Sequence, residues 1–283
     1  MWVKSSLRFF VYPFLFSDWT SVYRYLCIIV KTPPAPKSIT PIELRIRSLA
    51  GSSLAIRPGT TDGRVIYNAF FGQYHLPPQE VRQRLIRRPS LILDLGCNIG
   101  CTLAHFLHLF SAAQVIGVEL DAQNAALCRA NVARYGSRCR VITGAVWIED
   151  GWVEYTRWVG REEGLAIGRF LGENRESGKA GAAGETSEDR AVVVTQAISV
   201  NTLISNLPSD SLVDYIKMDV EGAEKSLLRS NTEWTKRVAC LKVELHGYPP
   251  SDCMSDLERL GFTAWRDDWH PHCVVGMRTF VDG

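Results

Sequence analysis

The sequence predicts an α/β protein with a doubly wound, mostly parallel sheet. From Leu91 onward, apolar runs of strand length alternate with helical patterns, as is typical of parallel strands joined by helices. The segment 91–101 (LILDLGCNIGC) joins a buried strand to a helix through a glycine turn. At 283 residues, with 46% hydrophobic and 22% charged residues, the chain is long enough to bury a sizeable core.

The individual elements follow from the same patterns. Residues 53–76 predict a short strand, a Gly/Asp turn and a small aromatic helix, and Pro77-Pro78 opens a helix through Leu85, since proline fits a first helical turn. Further strands are expected at 91–95, 114–119, 139–144, 152–158, 191–199, 213–219 and 239–246, with a closing pair near 262–266 and 272–280. Further helices are expected at 99–110, 122–135, 222–229 and 253–260.

Composition divides the chain into two parts. Residues 1–50 are interpreted as an N-terminal aromatic-rich arm and linker, and residues 51–283 as the main domain. Within that domain, residues 172–190 contain no large apolar side chain and are rich in Gly, Glu and Ser. The stretch therefore cannot bury enough surface to offset its ordering entropy. We expect a disordered insertion there, and a mobile lid over the site is the alternative.

The N-terminal arm leaves three interpretations open. Its apolar run, residues 9–16, is short, is broken by Pro13 and lacks a small-residue cleavage site, which argues against a signal peptide. The run at 26–30 is too short to span a bilayer. The arm is therefore expected to be a helical segment docked on the domain. The alternatives, in order, are an interfacial element in peripheral contact with a membrane and a true membrane anchor.

Charge and cysteine content exclude some classes of function. A formal net charge of +2 gives no sign of a nucleic-acid partner. None of the eight cysteines forms a CxxC pair, so a structural zinc site is not expected. Free cysteines inside apolar patterns fit a reducing, cytoplasmic location.

The glycine turn favours a ligand other than a dinucleotide. The run Asp94-Leu95-Gly96-Cys97-Asn98-Ile99-Gly100 lacks the middle glycine of G-x-G-x-x-G, and Asp94 would repel a pyrophosphate at the helix N-terminus. A ligand with a positive centre and no phosphate suits the turn better, and S-adenosylmethionine is such a ligand. An NAD-binding oxidoreductase is thereby disfavoured.

Roles for the predicted cofactor site follow from charge and position. We expect the two glycines to let the turn approach the ligand, Asp94 to face its amino-acid or sulfonium end, and Glu119 to accept hydrogen bonds from both ribose hydroxyls. The turn 144–147 is expected along the adenine. The full set of predicted cofactor-binding residues is Asp94, Gly96, Cys97, Asn98, Gly100, Glu119, Leu120, Ala145, Val146 and Asp219.

Four segments resemble the FkbM family of S-adenosylmethionine-dependent methyltransferases: LILDLGCNIG, VIGVELDAQNAALCRANV, DYIKMDVEGAEKSLLR and VELH, together with the lead-in IRPGTTDGRVIYNAFFGQYHLP. The similarity covers roughly residues 54–247, and IKMDVEGAE is its most specific piece. It implies the class I methyltransferase fold, a seven-stranded sheet whose last strand is antiparallel. It also implies O-methylation of a hydroxyl on a sugar, glycolipid or polyketide. The chain departs from the family pattern at Leu203-Ile204, where Leu-Asp is usual.

Polar residues at the ends of two strands predict the reaction centre. Lys217 and Asp219 share one face of their strand, as do Glu244 and His246, and Glu221 lies in the following turn. Lys217 is expected to pair with Glu244 or Asp219, because buried charges need partners. His246 is the first candidate for the base that takes the hydroxyl proton, since its ordinary pKa suits that role near neutral pH.

Several alternatives remain open at the reaction centre. Asp219 or Glu221 could be the base instead, or His246 could serve only in packing. A divalent cation is not expected, although Asp219, Glu221 and Glu244 could hold one. The remaining histidines that show no ligand spacing are interpreted as surface or packing residues: His105, His108, His270 and His272. Trp265 and Trp269 are candidates for stacking on a sugar.

The expected function is an O-methyltransferase that acts on a small-molecule, glycan or lipid acceptor. The main alternative is a non-catalytic module that has kept the fold. A nucleic-acid methyltransferase is disfavoured because the strand before residue 220 ends in DVEG rather than in an Asn/Asp-Pro-Pro-aromatic motif. The identity of the acceptor and the oligomeric state have no sequence signal.

Overall fold

The structure, a computed structural model, describes residues 13–30, 40–87, 90–158, 165–172, 190–209 and 211–278. The helices are α1 (Trp19–Val30), α2 (Asp62–Tyr67), α3 (Gln79–Arg87), α4 (Cys101–Leu109), α5 (Ala122–Val132), α6 (Val200–Ser205), α7 (Glu224–Arg229) and α8 (Pro250–Arg259). The strands are β1 (Ile42–Ile46), β2 (Ser52–Ile56), β3 (Ser90–Leu95), β4 (Ala113–Glu119), β5 (Cys139–Thr143), β6 (Ala145–Trp147), β7 (Gly151–Trp158), β8 (Ile167–Gly172), β9 (Arg190–Ser199), β10 (Tyr215–Met218), β11 (Cys240–Glu244), β12 (Thr263–Arg266) and β13 (Cys273–Met277).

The central sheet has seven strands in the order β5-β4-β3-β10-β11-β13-β12. Strand β13 runs antiparallel to both of its neighbours, β11 and β12, and the pairs from β5 to β11 are parallel. This order and direction confirm the predicted doubly wound, mostly parallel sheet with an antiparallel last strand. The sheet reverses its winding between β3 and β10, so the carboxyl ends of these strands border a crevice.

Apolar strands bury both faces of this sheet. Strand β3 buries Ile92 against one hydrophobic cluster and Leu93 against a second, because successive side chains point to opposite faces. Helices α4 and α5 pack on the first face, and α7 and α8 on the second. Each face therefore has its own core, and the polar groups concentrate at the strand ends.

A second sheet of four strands, in the order β6-β9-β7-β8, follows β5 in the chain. Two of its strands, β7 and β9, were expected from the sequence at 152–158 and 191–199. The other two were missed, because β6 is only three residues long and β8 was not separated from the glycine-rich stretch after it. Of the predicted insertion 172–190, residues 173–189 lie outside the described residues.

The N-terminal part contains a helix and a strand that contact the domain. Strand β1 pairs antiparallel with β2, and Phe16 forms an isolated bridge with Ile46. Helix α1 buries Val22 and Tyr25, and the Tyr25 hydroxyl donates a hydrogen bond of 2.8 Å to the carbonyl of Gly63 in α2. None of the described helices combines the length and the hydropathy that a bilayer-spanning segment requires.

Candidate active site

A cavity of about 540 Å³ lies at the carboxyl ends of the central strands. The structure brings ten of the predicted site residues into its lining: Gly96, Cys97, Asn98, Glu119, Leu120, Ala145, Val146, Asp219, Glu221 and Glu244. Four others, Asp94, Gly100, Lys217 and His246, do not line it. The predicted set therefore surrounds one site, but its members divide into residues that face the cavity and residues that support those residues from behind.

The glycine turn serves packing within the protein. A Cβ on Gly96, whose φ is +84°, would lie 1.8 Å from the backbone oxygen of Asp219, so only glycine fits there. A Cβ on Gly100, at φ +85°, would lie 2.8 Å from Sγ of Cys128 in α5. Gly96 therefore lets the turn close against the end of β10, and Gly100 lets α5 pack on the turn, where the sequence had predicted approach to a ligand.

Glu119 ends β4 with its carboxylate held by the backbone. One oxygen, Oε2, accepts a hydrogen bond of 2.8 Å from the Asn98 amide, and Oε1 accepts bonds from the Asp121 amide at 2.9 Å and the Asn124 side chain at 3.3 Å. Burial raises the pKa of Glu119 to about 7, although these donors oppose the rise. The carboxylate faces the cavity in a fixed orientation and keeps acceptor capacity on Oε2.

Lys217 links the glycine turn to the end of β10. Its buried ammonium donates to the Gly96 carbonyl at 2.7 Å and lies 3.2 Å from both Asp94 Oδ1 and Asp219 Oδ2. Burial alone lowers the pKa of Lys217, but the charges of Asp219 and Asp94 outweigh it and hold the pKa well above its usual value. Lys217 is thus a fixed cation that orients Asp219, and of the two predicted partners, Glu244 and Asp219, the structure pairs it with Asp219.

Asp94 has a supporting role as well. Its side chain is fully buried, it pairs with Lys217, and it accepts a hydrogen bond from the Thr102 hydroxyl at the start of α4. We had expected Asp94 to face a ligand. In the structure its carboxylate is instead buried and paired with the Lys217 ammonium inside the protein. The residue in contact with Asp219 from the cavity side is Tyr74, whose hydroxyl donates to Oδ2 at 3.2 Å.

His246 lies behind the cavity carboxylates and contacts three acids. Its Nε2 is 3.2 Å from Glu221 Oε2 and 3.8 Å from Asp219 Oδ1, and its Nδ1 is 2.8 Å from Oε1 of the fully buried Glu224. Burial lowers the pKa of His246, but the hydrogen bond with Glu224 and the charges of Glu221 and Asp219 prevail and raise it to about 9. His246 is therefore an imidazolium near neutral pH, so the ordinary pKa on which its predicted role as base depended does not hold.

The cavity carboxylates titrate differently from free ones. Burial raises the pKa of Glu221, His246 lowers it and the charge of Asp219 raises it, with a net rise. Burial and then the charge of Asp219 raise the pKa of Glu244 to about 8, against the opposing charge of Lys217. Glu244 is thus largely protonated at neutral pH, whereas Glu221 has the His246 ring as a close partner, 3.2 Å from its Oε2.

Three of these groups are spaced for a cation. One ligand atom each from Asp219, Glu221 and His246 lies within 4.8 Å of the others. The sequence had suggested Asp219, Glu221 and Glu244, so His246 takes the place of Glu244 in the observed grouping. The protonated state of His246 at neutral pH opposes metal binding, since a metal ligand must be the neutral imidazole.

The far wall of the cavity comes from the segment between β12 and β13. Trp269, His270 and His272 line it, so the two histidines, which were interpreted as surface or packing residues, also face the cavity: His272 is exposed and His270 is partly buried. Trp269 exposes 89% of its surface, and the stacking role suggested for it stays a prediction. Trp265 packs against the core on one face of the sheet instead.

A buried network holds that wall in place. The Lys242 ammonium lies 2.6 Å from Asp267 Oδ2 and 3.2 Å from His270 Nδ1, and it donates to the Leu76 carbonyl at 3.3 Å. His270 Nε2 donates to the Gly72 carbonyl at 2.6 Å, which fixes its ring against the lead-in segment. Lys242 therefore ties the two segments that form the far end of the cavity.

Sequence reasoning missed two residues of the site, Glu224 and Tyr74. A signal for Glu224 existed, because the acid of DVEGAE falls at the start of a helix five residues after Asp219. Tyr74 has no local signal, since its contact with Asp219 spans 145 residues of sequence.

Several solved methyltransferase structures show a distant similarity to this chain. The chain is similar to a putative caffeoyl-CoA O-methyltransferase from Staphylococcus aureus, with 13% identity, 76% of this chain and 91% of that chain covered, and a TM-score of 0.41. It is also similar to a putative rRNA-methylase from Clostridium thermocellum, with 10% identity, 75% and 97% covered, and a TM-score of 0.41. A methyltransferase from Pyrococcus furiosus shows 12% identity, 77% and 94% coverage, and a TM-score of 0.39.

No curated protein matches the sequence. The model of the methyltransferase FkbM domain matches residues 94–264, which include the end of β3, the glycine turn, Glu119, the cluster at the end of β10 and His246. This match covers more than half of the chain. The chain therefore belongs to the FkbM methyltransferase family.

Proposed function

We propose that this protein is an S-adenosylmethionine-dependent O-methyltransferase acting on a hydroxyl of a sugar, glycolipid or polyketide-like small molecule. One observation carries the proposal: a single cavity has a hydroxyl-accepting carboxylate, Glu119, at one end and a group of carboxylates, Asp219, Glu221 and Glu244, at the other. The first suits a ribose and the second suits a cationic centre. Few other cofactors combine a nucleoside with a positive charge and no phosphate.

The residues present fit such a cofactor. Glu119 is held by backbone donors so that its remaining acceptor capacity faces the cavity, and Leu120, Ala145 and Val146 provide apolar surface beside it for an adenine. Asp219, oriented by Lys217 and Tyr74, is the acid suited to the ammonium or sulfonium. When bound, S-adenosylmethionine supplies an electrophilic methyl group on a positively charged sulfur.

The chain must then accept the proton that the acceptor hydroxyl loses. Glu221 lines the cavity, burial raises its pKa, and its Oε2 lies 3.2 Å from His246 Nε2, so it is the base that the geometry favours. His246 acts as a positioning residue, since it lies behind Glu221 and is already protonated. Bound S-adenosylmethionine would supply the methyl group to the acceptor oxygen, with its methyl–sulfur bond broken and the sulfur released as a neutral thioether, and the Glu221 carboxylate would take the hydroxyl proton.

The acceptor end of the cavity suggests a polar, ring-containing substrate. Trp269 offers an exposed aromatic face, and His272 and Asn68 offer polar groups nearby on the wall. Aromatic side chains stack well on sugar rings and on other amphipathic surfaces. A small-molecule, glycan or lipid acceptor fits this wall, and the formal net charge of +2 gives no support for a nucleic acid.

The thiol chemistry supports a cytoplasmic setting for this activity. All eight cysteines are free, and six of them are buried. Burial raises the pKa of Cys97, the cysteine in the glycine turn, well above its usual value, so it is an unreactive thiol beside the cavity. Cys97 is therefore assigned to packing.

The experiment is a calorimetric titration of the purified protein with S-adenosylmethionine, S-adenosylhomocysteine and NAD in parallel. It is followed by a screen of hydroxylated glycans, lipids and polyketides with a radiolabelled methyl donor. We expect micromolar binding of the two sulfur ligands, no binding of NAD, and label in an alkali-stable ether on the accepted substrate.

Matched variants separate the possible outcomes. Glu221→Gln should lose far more turnover than cofactor affinity, because Asp219 remains for the cationic centre, whereas the exposed Glu233→Gln should change neither. Binding of NAD alone would overturn the proposal. Cofactor binding without label transfer to any hydroxyl class would favour a non-catalytic module, and label on nitrogen or carbon would replace O-methylation with another acceptor chemistry.

A further inference from the structure

Three large aromatic side chains cluster on the exposed side of the N-terminal segment. Phe14, Trp19 and Tyr23 expose 73%, 77% and 69% of their surface. Trp19 and Tyr23 are four residues apart in α1 and so share one side of the helix. The other side of α1 buries Val22 and Tyr25 against the domain. We call the three exposed residues the aromatic face.

The clustering sets this face apart from ordinary surface exposure. Nine large apolar side chains are exposed in the described residues, and three of them fall between positions 14 and 23. The other six are spread along the chain: Phe71, Ile86, Leu109, Trp158, Leu212 and Trp269. Single exposed apolar residues need no explanation, but three exposed aromatic residues within ten positions of one segment point to a surface that contacts something else.

Exposed arginines border the aromatic face. Arg24 donates to the Glu43 carbonyl at 3.1 Å, Arg47 reaches the Pro13 carbonyl at 3.5 Å, and Arg45 lies close enough to Asp18 to affect its charge. All three guanidinium groups are on exposed residues beside residues 13–24. The contacts of Arg24 and Arg47 are with backbone carbonyls, which do not neutralise a positive charge.

The acids nearby are few. Asp18 accepts hydrogen bonds from the Ser21 amide at 2.8 Å and the Ser21 hydroxyl at 3.0 Å, which uses it to cap the start of α1. Glu43 is the other acidic residue on these elements. Along the sequence, residues 1–42 contain five Lys or Arg and one Asp, and they hold nine of the 28 aromatic residues of the chain. The rest of the chain is net negative, so the positive charge is concentrated in this segment.

We propose that the aromatic face and its arginines form a docking surface for an anionic membrane. Trp and Tyr favour the boundary between lipid headgroups and acyl chains, where the ring is buried and its polar group stays hydrated. Arginines beside such rings bind lipid phosphates, and each basic residue near an anionic bilayer adds to the attraction. The chemistry of the partner is thus an anionic phospholipid surface.

This docking surface connects directly to the wall of the cavity. The aromatic face is on one side of α1, and on the other side Tyr25 bonds to Gly63 in α2. Helix α2 then presents Arg64 and Val65 to the cavity. Membrane attachment would hold the cavity close to the bilayer, which suits an acceptor carried on a lipid; this consequence rests on the proposed function, whereas the docking itself does not.

The test measures binding to lipid vesicles without any enzyme assay. Purified protein is sedimented with sucrose-loaded vesicles of phosphatidylcholine alone, and of phosphatidylcholine with phosphatidylglycerol at a ratio of about 3:1, at low and high salt. We expect binding to the mixed vesicles only, weakened by salt because screening acts on exposed charges. The double variant Trp19→Ser, Tyr23→Ser should bind at least about tenfold more weakly.

Two controls keep the result interpretable. Trp269→Ser removes an exposed aromatic residue elsewhere and should bind the vesicles as the wild type does. Arg24→Gln with Arg47→Gln should weaken binding and flatten its salt dependence while leaving the aromatic face intact. Thermal unfolding followed by circular dichroism shows whether each variant keeps the fold; the substituted side chains are exposed, so we expect unchanged midpoints.

Three outcomes would overturn the proposal. The first is a wild type that stays in the supernatant with anionic vesicles at low salt. The second is a double variant, Trp19→Ser with Tyr23→Ser, that binds as tightly as the wild type. The third is a concentration-dependent dimer in sedimentation velocity that disappears in the double variant, which would assign the aromatic face to a second copy of the chain.

Discussion

The Nδ1 atom of His246 lies 2.8 Å from Oε1 of Glu224, a fully buried glutamate that also accepts a hydrogen bond from the Gly222 amide. This contact sets the charge of the site. It keeps the proton on the imidazole, whose pKa is raised to about 9, and leaves Nε2–H directed at Glu221 and Asp219. The orientation of the cavity carboxylates therefore depends on a residue that does not face the cavity.

Replacing Glu224 with Gln should lower the pKa of His246. The hydrogen bond and charge of Glu224 raise that pKa, and burial lowers it. Without the charge of Glu224, burial is opposed less strongly and the pKa falls. Titration of the His246 ring by NMR should show a pKa well below about 9 in Glu224→Gln and an unchanged value in the exposed control Glu233→Gln. An unchanged titration in Glu224→Gln would show that the other acids alone hold the proton.

The same contact has a consequence for stability. A histidine whose pKa is raised on folding stabilises the protein fully below its unfolded value of about 6.5, and the contribution is lost as pH rises through the folded value. For His246 that window is from about 6.5 to about 9. We expect denaturant unfolding of the wild type to lose more stability across this window than His246→Gln does. Parallel curves for the two proteins would contradict the assigned pKa.

The pH dependence of kcat/KM should identify the base. If Glu221 accepts the proton, activity rises as Glu221 ionises, and the charge of His246 lowers the pKa of Glu221 against the net rise that burial causes. We therefore expect His246→Gln to move the acid limb of the profile to higher pH while keeping measurable turnover. An acid limb near 9, with loss of activity in His246→Gln, would make His246 the base instead.

Much of this arrangement could be predicted from local sequence. The alternation of strands and helices and the length of the apolar runs predict the central sheet, because both depend on residues close together in the chain. Glu119 and Asp219 were found since each ends a strand. The contacts that decide the chemistry were less accessible: Tyr74 reaches Asp219 across 145 residues, and the pKa of His246 depends on burial as well as on neighbours. The packing that Gly96 and Gly100 allow was not foreseen, because close backbone approach has no signature in composition, and their predicted approach to a ligand stays a prediction.

Glu119→Gln should weaken cofactor binding by about tenfold to a hundredfold, since hydrogen bonds to a charged acceptor are lost. Ligand hydroxyls favour the ionised carboxylate, so the affinity of the wild type should be full above the pKa of about 7 and fall as pH drops through it. Calorimetric titration with S-adenosylhomocysteine between pH 6 and pH 8 measures both effects. The exposed control Glu149→Gln should match the wild type, and a Glu119→Gln variant with unchanged affinity would remove Glu119 from the ribose site.

Chelation should leave turnover unchanged near neutral pH. The grouping of Asp219, Glu221 and His246 is close enough for a divalent cation, but the His246 proton and the Lys217 charge both oppose one. We expect equal initial rates with excess EDTA and with added Mg²⁺ or Mn²⁺. A metal at this grouping would be established by two results together. EDTA would abolish activity of the wild type and Mg²⁺ or Mn²⁺ would restore it, whereas neither ion would restore activity in Glu221→Gln.

Gly96→Ala should destabilise the protein and disrupt the site together. The new methyl group would lie 1.8 Å from the Asp219 backbone oxygen at a positive φ, so the turn and the end of β10 must separate. Overlap and left-handed strain together cost about 2–5 kcal/mol. Gly168→Ala is the matched control, because its Cβ would lie an ordinary 3.5 Å from the nearest atom. Denaturant unfolding should show the large loss of stability in Gly96→Ala alone.

Cofactor affinity of Gly96→Ala should fall together with its stability, since separation of the turn from β10 also moves the Gly96 carbonyl away from Lys217, which orients Asp219. Equal stability of the two variants would mean that the turn can shift without cost, and the packing role assigned to Gly96 would then be wrong.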